Sequence, residues 1–203
     1  MTTGEGGMLV TRHPDWDQLF RSLRNQGRDV FDCWLTHTRL GYNYRLDELS
    51  AALGGVQLGR IDELLAKRAR VAGWYNERLR DAERLRIPFL AATTTKMSWF
   101  VYVIQLDADV DRRSLMTSLE ERGIPTRPYF TPIHLQPFYV ERFGYRRGDF
   151  PVAERLGDTC LALPFSTTMS VEEVEYVCEQ LVNALDSQTV HASVAPTTAV
   201  STL

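Results

Sequence analysis

Two short stretches hold most of the side chains whose types and spacing suit chemistry. In Gly41-Tyr42-Asn43-Tyr44-Arg45 an amide lies between two phenols, with a guanidinium two residues on. An amide donor suits a phosphate oxygen without adding charge, and the planar fork of Arg45 complements phosphate or carboxylate. Each residue also has a plainer reading. Asn43 can be a turn residue in a left-handed backbone, Arg45 can pair with Asp47 or Glu48, and Tyr42 and Tyr44 can pack as aromatics. The second stretch runs from Tyr129 to Phe138 and places His134 between Pro132-Ile133 and Leu135-Gln136-Pro137. His134 can contact a ligand or handle a proton near neutral pH, or serve as a structural histidine. Tyr129 and Phe138 can face the same ligand or fill a core. His13, His37 and His191 have no neighbours that point to a metal, and Cys33 has no base nearby in sequence. Asp62, Glu63, Lys67 and Arg68 make an acidic-then-basic solvated helix face, worth about 0.2–0.5 kcal/mol per pair.

These stretches need elements to hold them. Thr2-Thr3-Gly4-Glu5-Gly6-Gly7 is a polar, glycine-rich turn opening into an apolar strand, Met8–Thr11, with nothing ahead of it to pair with. The chain therefore reads as beginning inside a larger domain. Pro14 suits a first helical position. Trp16, Leu19, Phe20 and Leu23 fall on one helical face, which Gly27 closes. Residues 28–45 read as irregular. A long helix, open to a break at its glycines, is expected from about Asp47 to Arg84, with a stripe of Leu58, Ile61, Leu65, Ala72, Tyr75, Leu79 and Ala82 that Arg68 interrupts. Gly54, Gly55 and Gly59 each weaken it by about 1 kcal/mol relative to alanine, which points either to close approach of another backbone or to a plain kink.

Further on, Trp99–Leu106 is a nearly continuous apolar run that suits a strand covered on both faces. Asp111 caps a helix carrying Leu115, Met116 and Leu119 and ending at Gly123. A strand follows around Ile124–Phe130. Asp149 and Pro151 open another helix, Leu161–Phe165 is extended, and Ser170 with Glu173 forms a capping box for a last helix built on Val174, Val177, Cys178, Leu181 and Leu185. From Ser187 the chain reads as a disordered tail.

Composition narrows the classes. The 203 residues are 44% hydrophobic and 24% charged with a formal net charge of -3, which fits a globular protein and gives no polyanion signal for nucleic acid. No apolar run is long enough for a membrane span, and the N-terminus has no signal-peptide pattern. Cys33, Cys160 and Cys178 lack metal-like spacing and read as reduced thiols of a cytoplasmic protein. Arginine outnumbers lysine 21 to 2, a bias from which no function is drawn.

Four segments, in order and at matching spacing, carry a resemblance to a known family. They are Gly4-Glu5-Gly6-Gly7-Met8 with Arg24-Asn25-Gln26-Gly27-Arg28; Gly41-Tyr42-Asn43-Tyr44-Arg45-Leu46 with Ala51-Ala52 and Gln57-Leu58; Ile124-Pro125-Thr126-Arg127-Pro128-Tyr129 with Ile133-His134; and Leu163-Pro164. The chain resembles the second half of the DegT/DnrJ/StrS nucleotide-sugar aminotransferases, which depend on pyridoxal 5'-phosphate (PLP). The resemblance implies an α/β fold, the C-terminal part of a fold-type I PLP-dependent transferase. Residues 1–57 would be a remnant of the large cofactor domain, 58–84 the connecting helix, 85–186 a small α/β domain and 187–203 a tail. It further implies a homodimer in the full-length form, and transfer of an amino group from an amino-acid donor, usually glutamate, to a nucleotide-linked keto-sugar for polysaccharide or antibiotic-sugar synthesis. In such dimers the residue matching Asn43 reaches the PLP phosphate of the other subunit. Arg45 and Tyr42 would lie in the same cofactor region, and His134, Tyr129 and Phe138 at a site mouth facing the nucleotide sugar.

In that family the lysine that binds PLP and moves the reacting proton lies a few positions ahead of the residue matching Thr2, where this chain has only Met1. Lys67, on a helix, and Lys96, in a loop, fall outside the matching motif. The acidic partner of the pyridine nitrogen belongs to the preceding half as well. The expectation is a truncated form, inactive alone. Two other readings stay open: a PLP-dependent sugar dehydratase of the same family, with histidine in place of the lysine, or a non-catalytic module that pairs with a full-length relative through Gly41–Leu58. An unpaired strand at Met8–Thr11 implies poor solubility or self-association, with residues 85–185 the most autonomously folded.

Overall fold

The computed structural model describes residues 1–29 and 36–193, with side chains through residue 188. The chain divides into two units, Met1–Leu64 and Leu65–Leu203. Cys33 lies outside the described residues, as does everything after Ser193.

In the first unit, α1 (Pro14–Arg24) starts on a proline whose missing N–H costs nothing there. It carries Asp15 and Asp17 in its first turn and Arg21 and Arg24 in its last, the arrangement that the helix dipole favours. Gln26 and Gly27 then take left-handed φ values of 63° and 76° and reverse the chain. The strand expected at Met8–Thr11 is not formed. A strand needs a neighbour to accept its hydrogen bonds, none pairs with it among the described residues, and Met8, Leu9 and Val10 are exposed. The N-terminal segment instead lies along α2 (Glu48–Gly59): the Thr2 amide donates to Gln57 Oε1 at 3.0 Å, and the Thr3 methyl lies close to Gly54.

The long helix expected over Asp47–Arg84 is two helices, α2 and α3 (Ile61–Leu79). Asp47 caps α2 by accepting from the Ser50 amide at 2.9 Å. The break falls at Arg60, whose amide turns back to Gln57 and Leu58 and whose guanidinium holds Glu63. Gly54 and Gly55 stay helical, and a Cβ on Gly55 or Gly59 would meet nothing. Of the three glycines, only Gly54 serves a close approach.

In the second unit, β1 (Leu85–Arg86), β2 (Tyr102–Leu106), β3 (Arg127–Pro128) and β4 (Cys160–Leu163) form a sheet of order β1-β2-β4-β3. Every pairing is antiparallel, with Tyr102 opposite Leu163 and Ile104 opposite Leu161. Along β2, Tyr102, Ile104 and Leu106 are buried and Val103 and Gln105 only partly so. That period-two pattern marks a strand covered on one face, not on both as the apolar run implies; antiparallel sheets permit this. The covered face packs on Val71, Ala72, Tyr75 and Leu79 of α3, Leu115 and Leu119 of α4 (Arg112–Glu120), and Val174, Val177, Leu181 and Leu185 of α7 (Val171–Ser193). Tyr75 and Tyr102 stack with centroids 4.6 Å apart. Their hydroxyls reach Pro164 O at 2.7 Å and Asn76 Oδ1 at 2.8 Å, so two buried phenols stay satisfied. Burial pushes both phenols above their ordinary range and the Cys178 thiol up to about 12, which leaves that cysteine an inert core residue.

Other departures have specific causes. Arg68, the interruption in the α3 stripe, donates to the carbonyls of Trp99 and Phe100 at 2.8 and 2.9 Å. Trp99 there takes a left-handed φ of 48°, so β2 starts only at Tyr102. The strand expected over Ile124–Phe130 shrinks to β3, because Pro125 and Pro128 have no N–H to donate and an edge position tolerates them. Asp111 caps α4 as expected. At α6 (Pro151–Thr159) the capping position is Phe150, not Asp149, whose carboxylate accepts from the Arg146 amide instead. The Ser170–Glu173 capping box is reciprocal, at 2.8 and 3.2 Å. α7 continues through Ser193, past Ser187 where the tail is expected to begin. Its last turns are tied down by Gln188, which bonds both the amide and the carbonyl of Asp111.

Truncating Ile104 to alanine removes a fully buried side chain and should cost about 2–5 kcal/mol, whereas Val152→Ala on the exposed side of α6 should stay within about 0.5 kcal/mol. Urea unfolding followed by circular dichroism checks the contrast.

Candidate functional site

The first unit brings together two of the motifs singled out in the sequence. The carbonyls of Leu23 and Arg24 accept from the amides of Tyr42 and Tyr44 at 2.9 and 2.8 Å, and the Gln26 amide donates to Tyr42 O at 2.9 Å. Asn25 and Asn43 thereby face each other as an antiparallel bridge. Two glycines permit the approach. A Cβ on Gly27 would lie 1.8 Å from Arg39 O, and one on Gly41 would lie 2.2 Å from Gly27 N, so both positions exclude any side chain.

Asn43 is therefore extended and bridged, not left-handed; the left-handed residues are Gln26 and Gly27. Its side chain is exposed, and among the described residues no hydrogen bond engages its amide. Arg45 is exposed as well and donates through Nη1 to Asn25 Oδ1 at 2.6 Å, while Asp47, its expected partner, caps α2. Tyr42 and Tyr44 flank the bridged Asn43, two apart on an extended segment and hence on one side, and stack with centroids 5.3 Å apart in solvent. Asn25 is the residue that the sequence reading missed. Its role is set by pairing with Asn43, 18 positions along the chain, which residue type alone does not signal.

The second unit holds the other predicted residues. His134 is buried in a 3-10 turn, Ile133–Leu135, that precedes α5 (Pro137–Phe143). Its Nε2 lies 2.9 Å from Glu154 Oε1, and its ring packs against Phe150 at 4.7 Å. Glu154, on the first turn of α6 and only 5% exposed, also accepts from the amides of Gly148 at 2.9 Å and Phe150 at 3.2 Å. The Gly148 amide first, then His134 and the Phe150 amide, hold its carboxyl below the usual range against the opposing effect of burial. Glu154 was not anticipated, although an acidic residue in a helix's first turn can reach back to upstream amides. Tyr129 is half-buried, edge-on to Phe130. Phe138 is exposed and edge-on to Tyr139, so it fills no core. A cavity of about 530 Å³ beside the start of α7, lined by Ile124, Phe165, Met169, Tyr176 and others, includes none of these residues. Among the described residues there is no cluster suited to hold a metal, and no helix is long and apolar enough to cross a membrane.

Residues 1–182 match the DegT/DnrJ/EryC1/StrS aminotransferase family. The chain is 35% identical over 184 residues to the GDP-perosamine synthase of Caulobacter vibrioides, an alignment covering 89% of this chain and 48% of that protein. The spore coat polysaccharide biosynthesis protein SpsC of Bacillus subtilis is 33% identical over 192 residues, covering 88% and 49%. The crystal structure of the aminotransferase TlmJ from Streptoalloteichus hindustanus is similar with a TM-score of 0.80 at 31% identity, over 92% of this chain and 49% of that one. The chain thus spans about half the length of the relatives it matches. Its α/β architecture is that of part of a fold-type I transferase.

Two measurements check the geometry. Gly41→Ala forces a methyl into the Gly27 backbone and should destabilise the first unit by about 1–3 kcal/mol. Gly55→Ala, in open helix, should be neutral or stabilising by up to about 1 kcal/mol. Hydrogen exchange at the amides of Tyr42 and Tyr44 separates the two. For Glu154 the folded-state pKa is depressed, so its contribution to stability is complete above the ordinary carboxylate range and is lost as pH falls through the lowered folded value. Stability measured against pH should therefore drop on the acid side in the native protein and drop less steeply in Glu154→Gln.

Proposed function

Because the chain belongs to the DegT/DnrJ/EryC1/StrS aminotransferase family, we propose that it serves PLP-dependent amination of a nucleotide-linked keto-sugar and supplies the phosphate-binding edge of the cofactor site. The observation that carries this reading is the exposed, unengaged Asn43 amide held in place by the Gly27–Gly41 crossing. The donor set fits a phosphate dianion: a neutral amide, a guanidinium anchored through one nitrogen to Asn25 with further N–H groups left over, and two exposed phenols. PLP, when bound, supplies the electron sink that lets an amino group pass between two carbons. Asn43 would hold the phosphate and so orient the ring, with Arg45 adding charge and Tyr42 shielding the same edge.

Neither Lys67 nor Lys96 lies near this segment in sequence, so the reading assigns no covalent attachment of the cofactor to residues of this chain. A second subunit is part of the proposal. Helix α2 has no buried residue and presents Leu49 (85% exposed), Leu53, Val56 and Leu58 to solvent; such an apolar face supports pairing with another chain. A role in polysaccharide synthesis follows by analogy with the spore coat polysaccharide biosynthesis protein; glutamate as donor and a cytoplasmic setting are parts of the same proposal. Tyr129 and Phe138 are offered as contacts of the sugar nucleotide.

The test is glutamate-dependent amination of a nucleotide-linked keto-sugar. It is assayed by product mass for the chain alone and for the chain mixed with one supplying the first half of a relative. Amination and PLP retention are expected in the mixture and not in the chain alone. Asn43→Ala in the mixture should weaken PLP binding about tenfold, the loss of one hydrogen bond to a charged oxygen being worth about 1.5 kcal/mol. Loss of water from the sugar without amination would assign the dehydratase instead, and pairing of the two chains with no PLP retained would assign the interaction module.

A further inference from the structure

The contact of His134 with Glu154 has a chemical consequence beyond packing. Glu154 lies where three donors converge: the amides of Gly148 and Phe150, and the imidazole of His134 at 2.9 Å. An ionised carboxylate only accepts hydrogen bonds, so the proton in the His134 contact belongs to Nε2. A neutral imidazole carries one N–H and one lone pair, and the lone pair then falls on Nδ1. Among the described residues nothing engages Nδ1, and it is not sealed from solvent. Packing fixes the ring on its other sides, with Phe150 tilted against it at 4.7 Å and Tyr145 edge-on at 6.4 Å. The other charge near Glu154 is Arg147, whose guanidinium is bound to Asp158 at 2.8 Å and so does not displace the imidazole.

We propose that Glu154 is a positioning residue that holds His134 as the Nε2–H tautomer and so presents Nδ1 as an acceptor to a ligand hydroxyl or amine. The assignment is selective. An acceptor nitrogen welcomes an O–H or N–H donor and rejects a phosphate or carboxylate oxygen, which brings only lone pairs. A sugar hydroxyl is the matching group; that choice of ligand rests on the proposed function, whereas the tautomer does not. The arrangement parallels metal- and acid–base sites in which a carboxylate sets the orientation and tautomer of a histidine.

The experiment is ring-nitrogen NMR of the ¹⁵N-labelled 203-residue chain at neutral pH. The expected pattern for His134 is a protonated Nε2 and a bare Nδ1. In Glu154→Gln the charge is lost and an NH2 faces the Gly148 amide donor to donor in either orientation, so the tautomer bias should fall and the Gly148 amide should exchange about tenfold faster. A bare Nε2 in the native chain, or a His134 spectrum unmoved by the substitution, overturns the proposal. If the variant fails to fold, the native tautomer alone decides. For the ligand, GDP-mannose should shift Nδ1 and inorganic phosphate should not; no shift with GDP-mannose, or an equal shift with phosphate, overturns that half. Since none of these readouts uses PLP, failure of the aminotransferase assay leaves the tautomer result standing.

Discussion

The crossing of two backbones at Gly27 and Gly41 is the constraint on which the candidate cofactor edge depends. With a Cβ on Gly27 placed 1.8 Å from Arg39 O, the segment after α1 and the segment before α2 can approach only if both glycines stay bare. Once they approach, the Leu23, Arg24 and Tyr42 carbonyls satisfy the amides opposite, and Asn25 and Asn43 come into register. The facing groups of these two segments are then occupied with one another. What remains free is the side chain of Asn43, the stacked tyrosines and the outer part of Arg45. A flexible loop bearing the same residues would lose their conformational freedom on binding; this one has already lost it in folding.

The second unit solves a different problem with the same economy of partners. A carboxylate in a nearly closed setting is tolerable only when its lone pairs are met. Glu154 meets them with two amides and an imidazole, which fastens the turn at Ile133–Leu135 and the 148–150 loop to the start of α6. The cohesion of the unit comes from elsewhere, from the one covered face of the sheet and the buried stripes of α3, α4 and α7. The polar cluster adds orientation to a core that apolar burial has already made.

Most of this was legible where the cause is local. The Asp111 cap, the Ser170–Glu173 box and the apolar face of α7 each announce themselves within a few residues, and the structure forms them; α1 forms too, but Trp16, Leu19 and Leu23 of its stripe stay exposed. Family likeness singled out Asn43, whose residue type alone favoured a left-handed turn; the structure gives it a bridged, extended backbone. What was not legible depends on pairing between distant segments. β2 reads as covered on both faces because composition does not report that its neighbours run antiparallel. Met8–Thr11 reads as a strand because periodicity is blind to whether a partner exists. Arg68 looks like a flaw in a stripe until the carbonyls of Trp99 and Phe100 supply its reason. Asn25, Arg45 and Glu154 belong to the same class: their partners lie 20 residues away.

The central claim is that Asn43 of this chain touches the phosphate of PLP in the assembled enzyme. The ³¹P resonance of the bound cofactor reads that contact directly. It should move when Asn43 is replaced by alanine and stay in place when Phe138 is. A resonance unchanged by Asn43→Ala, with cofactor still bound, would contradict the account.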